Sequence, residues 1–284
     1  MDKKILLFTT AGKLEGENLM FTKASFSSWK KQNLDVVLFG EPFHKELCDE
    51  YGFILDTNYE RDEFGLPIVR DLYLSSQRYK GYDVYCFTNG DIIFHNSILD
   101  SINAITFDNF LAVGQRIDVF NLPEIDYLTE SIKDIEDKLS KCSQELHNPG
   151  GIDYFAFTPG FWDLNNMPDF SKARNRYDHW LVGYGLTEGN GPVIDLTKTF
   201  TAYQPEPINR VRGTSSAFES YGQGNYKLGY QLFRNELYFF KANKHGQVDM
   251  APYYTELDKT ITLKQRLDKD IPQNEFKQKI IYNK

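Results

Sequence analysis

The chain is poor in cysteine. Cys48, Cys86 and Cys142 are odd in number and far apart, so they offer neither a disulfide framework nor a zinc-ligand spacing. No stretch approaches the ~20 apolar residues of a membrane-spanning helix. The opening Met-Asp-Lys-Lys-Ile-Leu-Leu-Phe has too short an apolar run for a secretory signal. Positive charge is also short: a net charge of −8 argues against nonspecific nucleic-acid binding. No Gly-x-Gly-x-x-Gly follows the first apolar run, which excludes the dinucleotide fingerprint. There is no internal repeat and no low-complexity linker. These absences lead to the expectation of a soluble, cytoplasmic protein of a reducing compartment.

What is present is enough apolar residue for a core: 41% of 284 positions, which suits one large or two small domains. Aromatics are abundant, with 22 Phe and 18 Tyr, and serve either to bind flat or sugar-like ligands or to fill cores.

The most informative stretch is Tyr85-Cys-Phe-Thr-Asn-Gly-Asp-Ile-Ile-Phe94. It starts as a buried strand, presents Asn89, Gly90 and Asp91 as the strand runs out, and resumes with apolar residues. A carboxylate between two apolar runs is costly to bury unless something pairs with it. At the carboxyl end of a strand in an α/β sheet, that partner is commonly a ligand. Gly90 lets a backbone or phosphate come close. Asn89 and Asp91 offer hard oxygens to a divalent cation, which in turn binds a diphosphate. The plainer alternative is a hairpin turn, since Asn-Gly is a strong turn signal.

Around this stretch the chain alternates strand and helix signals. Lys4–Thr9 reads as a first parallel strand, followed by a loop at Thr10, Ala11 and Gly12, a common nucleotide contact point. A helix over 18–32, a strand at Asp35–Phe39, a short helix over 42–51 and a short strand at 53–55 follow. The next helix, over 67–79, carries Arg70, which either reaches a phosphate or serves as an ion-paired surface residue. Asn96 is read as a helix cap. Phe110–Val113 is a strand that ends in the polar Gly114-Gln-Arg116-Ile-Asp118. Repeated β-α-β order with polar strand exits predicts an open, mainly parallel sheet with its site along one edge.

Residues 124–146 read as one helix with an apolar stripe through Ile125, Leu128, Ile132, Ile135, Leu139, Cys142 and Leu146, a packing seam against the sheet or a partner helix. Ile152–Thr158 is a strand with Asp153 at its mouth. Asp178 falls in the first turn of a helix, where an acid is favoured by the dipole; near a second acidic site it becomes a candidate general base. Residues 192–196 form another strand. Residues 213–224 read as a loop, and 226–240 are ambiguous between helix and strand. Residues 258–284 carry seven Lys/Arg against four Asp/Glu, a basic segment in an acidic chain. It reads as solvated surface, a loose arm, an oligomer contact or a weak membrane-surface anchor. The five histidines, at 44, 95, 147, 179 and 245, have no ligand spacing.

Four segments together resemble one family across residues 4–205. Phe87-Thr-Asn-Gly-Asp-Ile-Ile-Phe94 is similar to the aspartate motif of nucleotide-sugar-dependent glycosyltransferases of the GT-A fold. Ala112-Val-Gly-Gln-Arg-Ile-Asp118, Gly151-Ile-Asp-Tyr-Phe-Ala-Phe157 and Tyr177-Asp178-His-Trp180-Leu are similar to segments of a branch that includes enzymes of bacterial glycan synthesis and of large algal viruses. The resemblance implies an α/β, Rossmann-like GT-A fold: a catalytic domain over 1–210, whose 1–118 half binds the donor and 119–210 half faces the acceptor, with 211–284 as an extension packed on it. It implies a nucleotide-sugar donor linked to UDP or GDP, a glycan acceptor and Mn2+ or Mg2+. Carried over to this sequence, Thr9 and Thr10 lie near the base, Asn89, Gly90 and Asp91 face the ribose and the metal-bound diphosphate, and Arg70, Arg116 and Asp118 hold the donor. Asp153 contacts a sugar, and Asp178 deprotonates the acceptor hydroxyl in an inverting displacement. One departure stands out. Where the branch has Ala-x-His-Gln, this chain has Thr201-Ala-Tyr203-Gln204, which puts a His metal ligand in doubt. Two alternatives remain: a sugar nucleotidyltransferase, for which Thr9-Thr-Ala-Gly-Lys13 is a poor phosphate loop, and a catalytically silent carbohydrate- or nucleotide-binding protein.

Overall fold

The structure is a computed structural model that describes residues 2–12, 14–172, 174, 176–206, 225–242, 244–267 and 270. The expected loop at 213–224 lies outside the described residues, as does Lys13.

Four consecutive apolar residues from Ile5 set the first strand, β1 (Ile5–Thr10). Alternate side chains point to opposite faces: Leu6 and Phe8 enter one buried cluster, Ile5 and Leu7 another. A strand buried on both faces belongs inside a sheet covered by helices on each side. β2 (Asp35–Phe39), β4 (Val84–Thr88), β6 (Leu111–Gln115), β9 (Ile152–Phe157) and β10 (Val193–Asp195) are buried in the same way, whereas β3 (Ile54–Asp56) is a partly exposed edge strand. With β12 (Tyr253–Leu257) and β13 (Ile261–Gln265) they make one nine-stranded sheet, in the order β13-β12-β10-β6-β9-β4-β1-β2-β3. It is mainly parallel. β9 runs antiparallel to both β4 and β6, and β13 is antiparallel to β12. This is the mixed α/β, Rossmann-like architecture, with a mainly parallel central sheet flanked by helices, that the sequence predicts.

The aromatics fill the two faces. Phe8 meets Tyr73 edge-on at 5.2 Å, and Tyr73 stacks on Phe157 at 5.3 Å. On the other face Trp29 packs against Phe26 and Phe94. Helices α1 (Gly16–Lys31), α2 (Lys45–Tyr51), α3 (Val69–Ser76) and α4 (Ile98–Asn103) connect the strands. The cap of α4 is Ser97, whose side chain accepts from Asp100 N; Asn96 instead brackets the 199–201 segment.

A second, four-stranded sheet flanks the first, in the order β5-β11-β7-β8. It comprises β5 (Ile93–Phe94), β7 (Ile117–Phe120), β8 (Ser143–Leu146) and β11 (Ala202–Glu206). Here the expected helix over 124–146 is corrected. Only α5 (Ile132–Leu139) is helical. The Asp126 carboxylate accepts from Leu128 N and Thr129, which fixes a turn ahead of it, and Ser131 caps the helix start. Residues 143–146 instead spend their backbone bonds pairing antiparallel with β7. Of the expected stripe, Ile125, Ile135 and Leu139 are buried, whereas Leu128, Ile132 and Leu146 are exposed.

The ambiguous 226–240 stretch is a helix: α6 (Tyr177–Glu188) is followed by α7 (Tyr226–Ala242). The basic C-terminal stretch is also more ordered than expected. Its first part carries β13, which pairs with β12 at the edge of the main sheet, and Arg266 forms an ion pair with buried Asp195. Residues 268, 269 and 271–284 lie outside the described residues.

Candidate active site

The carboxyl ends of β1 and β4 open into a cleft of about 470 Å3, within the usual range for small-molecule sites. Its wall runs from Thr10-Ala11-Gly12 and the α1 residues Asn18 and Thr22 to Asn89-Gly90-Asp91. Lys172, Arg174, Tyr177 and Asp178 close the other side. Three of the four matched segments therefore meet around one space: Asn89–Asp91 and Asp178 line it, and Asp153 lies directly behind.

Gly90 is there because the chain is crowded. A Cβ on it would stand 2.8 Å from Thr10 O. Asn89 is fixed at both ends of its amide. Its Nδ2 donates to Asp153 Oδ1 at 2.5 Å, and its Oδ1 accepts from Lys172 Nζ at 2.7 Å. Asp91 accepts from Gln204 Nε2 at 2.8 Å. Asp91 is half-buried, and desolvation raises its carboxyl above the usual range; Gln204 opposes the shift and Asp153 adds to it.

Asp178 occupies the first turn of α6 and accepts from His179 N at 2.8 Å. Arg176 precedes the helix with φ +84°, a left-handed conformation that turns the chain into α6. Desolvation raises the Asp178 carboxyl, the neighbouring His179 lowers it and Asp153 raises it. Two carboxylates with raised affinity for protons thus face the same cleft.

Behind the wall runs a buried ion network. The Arg116 guanidinium binds Asp118 Oδ1 at 2.7 Å through Nε and Asp153 Oδ2 through Nη1. His147 Nδ1 lies 2.8 Å from Asp118 Oδ2. Burial works against the Asp118 charge, but Arg116 and His147 hold its carboxyl below the usual range. Asp153 turns both oxygens to the protein, so it positions Asn89 and Arg116. The register places Gln204 of β11 opposite Asp118 of β7, which carries Gln204 to Asp91.

Four expected donor contacts stand away from the cleft wall: Arg116 and Asp118, in the ion network behind it, and Thr9 and Arg70. Thr9 is fully buried and its hydroxyl donates to Thr88 O at 2.7 Å, which ties β1 to β4. Arg70, on α3, pairs with Asp169 at 2.8 Å. Tyr203, at the position where the branch has His, also faces elsewhere: it is buried beside Ile93, and its ring centroid lies 5.4 Å from that of His95. Side chains alternate along a strand, so the next residue, Gln204, is the one that reaches Asp91.

Sequence reasoning missed Lys172 and Gln204 as site residues. A signal existed for the lysine: Lys172, Arg174 and Arg176 crowd three cations into five residues of an acidic chain, directly before Asp178.

No protein-family model matches the chain, and no curated protein matches it. Among solved structures it is similar to a mannosyltransferase from Pyrobaculum calidifontis in complex with GDP-Man and Mn2+, with 9% identity, 87% of this chain and 66% of that one covered, and a TM-score of 0.45. It is also similar to the inositol-1-phosphate CTP transferase from T. maritima, with 13% identity, 82% and 97% covered, and a TM-score of 0.42. A third is a mycobacterial protein, with 14% identity, 93% and 84% covered, and a TM-score of 0.43.

Proposed function

We propose that the cleft binds a nucleoside-diphosphate sugar, linked to UDP or GDP, and transfers the sugar to a glycan hydroxyl with inversion at the anomeric carbon. The observation that carries this reading is the meeting of Asp91 and Asp178 in one cleft at the strand ends, across from the Thr10–Gly12 loop.

Asp178 is the general base. It takes the proton of the acceptor hydroxyl while the acceptor oxygen attacks the anomeric carbon. The bond from that carbon to the diphosphate oxygen breaks, and the nucleoside diphosphate leaves with the electron pair. Burial raises the proton affinity of Asp178 and makes it a stronger base than an exposed aspartate. Thr10 and the α1 residues border the base end of the cleft. Asn89, locked by Asp153 and Lys172, presents a fixed edge to the donor.

Among the described residues no three His, Cys, Asp or Glu side chains cluster as metal ligands. Asp91 alone still fits a divalent cation that arrives with the donor, because Mg2+ is commonly held by one or two carboxylates plus substrate phosphates. Mn2+ or Mg2+ bound there would stabilise charge on the departing diphosphate as a Lewis acid. Gln204 holds Asp91 in place for it.

The test is turnover of a panel of nucleotide sugars with manganese, using wild type, Asp91→Ala and Asp178→Asn. Slow release of one nucleoside diphosphate, lost in Asp91→Ala, supports the transferase and names the donor. Release of pyrophosphate from a nucleoside triphosphate and a sugar phosphate would replace it with a nucleotidyltransferase. Binding without turnover, unchanged by Asp178→Asn, would leave a silent binding protein.

A further inference from the structure

Lys172 is a lysine in an unusual position. Its residue is only 7% exposed, yet it lines the cleft. Among the described residues its ammonium donates one hydrogen bond, to the neutral Asn89 Oδ1, and makes no ion pair within 4.0 Å. An ammonium has three protons to give, and leaving a buried charge without a counter-ion is costly. The rings of Phe87 and Tyr177, 5.3 and 5.1 Å away, offer only their faces. Burial favours the neutral amine, while the field of Asp153, Asp91 and Asp178 favours the cation.

The backbone that carries Lys172 is clamped. Lys172 N donates to Pro67 O, and Val69 N to Phe170 O. Ser171 N donates to Asn235 Oδ1, and Ser171 Oγ donates to the buried Asp62 carboxylate. A rigid loop that holds an under-used buried cation at a cleft wall is organised for an anion that comes from outside.

We propose that Lys172 receives the diphosphate of the ligand directly, so that a nucleoside diphosphate binds here without a divalent cation. The inference rests on the nucleotide-sugar reading and adds to it: the metal at Asp91 serves the departing group, and Lys172 serves recognition.

The experiment is calorimetric titration of the full chain in EDTA with UDP, GDP and inorganic pyrophosphate, for wild type, Lys172→Met and Lys172→Arg. Wild type is expected to bind one nucleoside diphosphate. Lys172→Met should weaken it about tenfold or more, as for loss of one charge-assisted hydrogen bond, and Lys172→Arg should restore part. The thermal midpoint of Lys172→Met should not fall, since an unpaired buried charge has been removed. Equal affinity in wild type and Lys172→Met overturns the proposal, as does binding that requires manganese. Lys172-dependent binding of pyrophosphate without either nucleotide keeps the anion site and sinks the nucleotide-sugar reading. Nucleotide binding that depends on manganese and Asp91, with no effect of Lys172→Met, does the reverse.

Discussion

Gln204, on β11, and Asp91, in the turn between β4 and β5, are 113 residues apart and are joined by one hydrogen bond of 2.8 Å. The bond ties the middle of β11 to the turn beyond β4. It also helps to keep Asp91 ionised against the desolvation that raises its pKa. Gln204→Leu should therefore weaken manganese binding by 10–100-fold, the usual loss when a partner of a metal-holding side chain is removed. The deficit should shrink as the pH is raised, because alkali restores the carboxylate. Titration of manganese at two pH values in the presence of nucleoside diphosphate checks this; an unchanged affinity would show that the bond is only structural.

Gly90→Ala tests the crowding at the strand end. The added methyl would stand 2.8 Å from a backbone carbonyl oxygen, which cannot rotate away as a side chain would. Overpacking of this kind costs about 1–3 kcal/mol. The expected outcome is a lowered denaturation midpoint together with a raised KM for the donor, since the Thr10 loop that must move also borders the cleft.

The middle of the main sheet is legible in the sequence because its central strands carry their own apolar runs, whereas the edge strands β12 and β13 are half-exposed and carry none. β1, β2, β4 and β9 fall within a residue or so of where those runs predict. The stretch over 124–146 misleads because its 3-4 spacing is real but its backbone is claimed by other partners: Asp126 and Ser131 break it locally, and β7 pairs with its end. Pairings between distant strands leave no local mark. The same holds in the cleft. Asp91 and Asp178 declare themselves as acids at a strand exit and a helix start. Asp153 looks identical by those criteria, yet Asn89 and Arg116 occupy both of its oxygens. Gln204 has no local signal at all; it matters only through the β11–β7 register.

Arg116 answers for two carboxylates at once. Asp118 and Asp153 are each under a tenth exposed, and the guanidinium bonds to both. Arg116→Met leaves two buried acids without their cation. Breaking a buried pair by removing one partner costs about 3–5 kcal/mol. The loss should be larger at pH 8 than at pH 5, because without Arg116 burial pushes the Asp118 carboxyl up and its protonation relieves part of the cost. Urea denaturation at both pH values measures the difference. If Arg116 bound the donor and carried no structural load, stability would be unaffected and only donor affinity would change.

Asp178→Asn separates chemistry from stability. The general base acts only as a carboxylate, so transfer should fall by about 10²–10⁴-fold, while donor binding and the hydrogen bond donated by His179 N remain. For wild type the acid limb of kcat/KM should lie above the ~3.9 of an exposed aspartate, because burial raises this group. The sign for stability is opposite to that for activity. A folded-state pKa above the unfolded value means that the protonated group favours the fold, and that this contribution fades as pH rises through the folded pKa. At pH 8 wild type holds an ionised, desolvated Asp178 and the Asn variant does not, so the variant should melt at an equal or higher temperature. As pH falls and wild type takes up its proton, the two midpoints should converge. A variant that lost both transfer and thermal stability at pH 8 would mean that Asp178 holds the start of α6 together and is not the base.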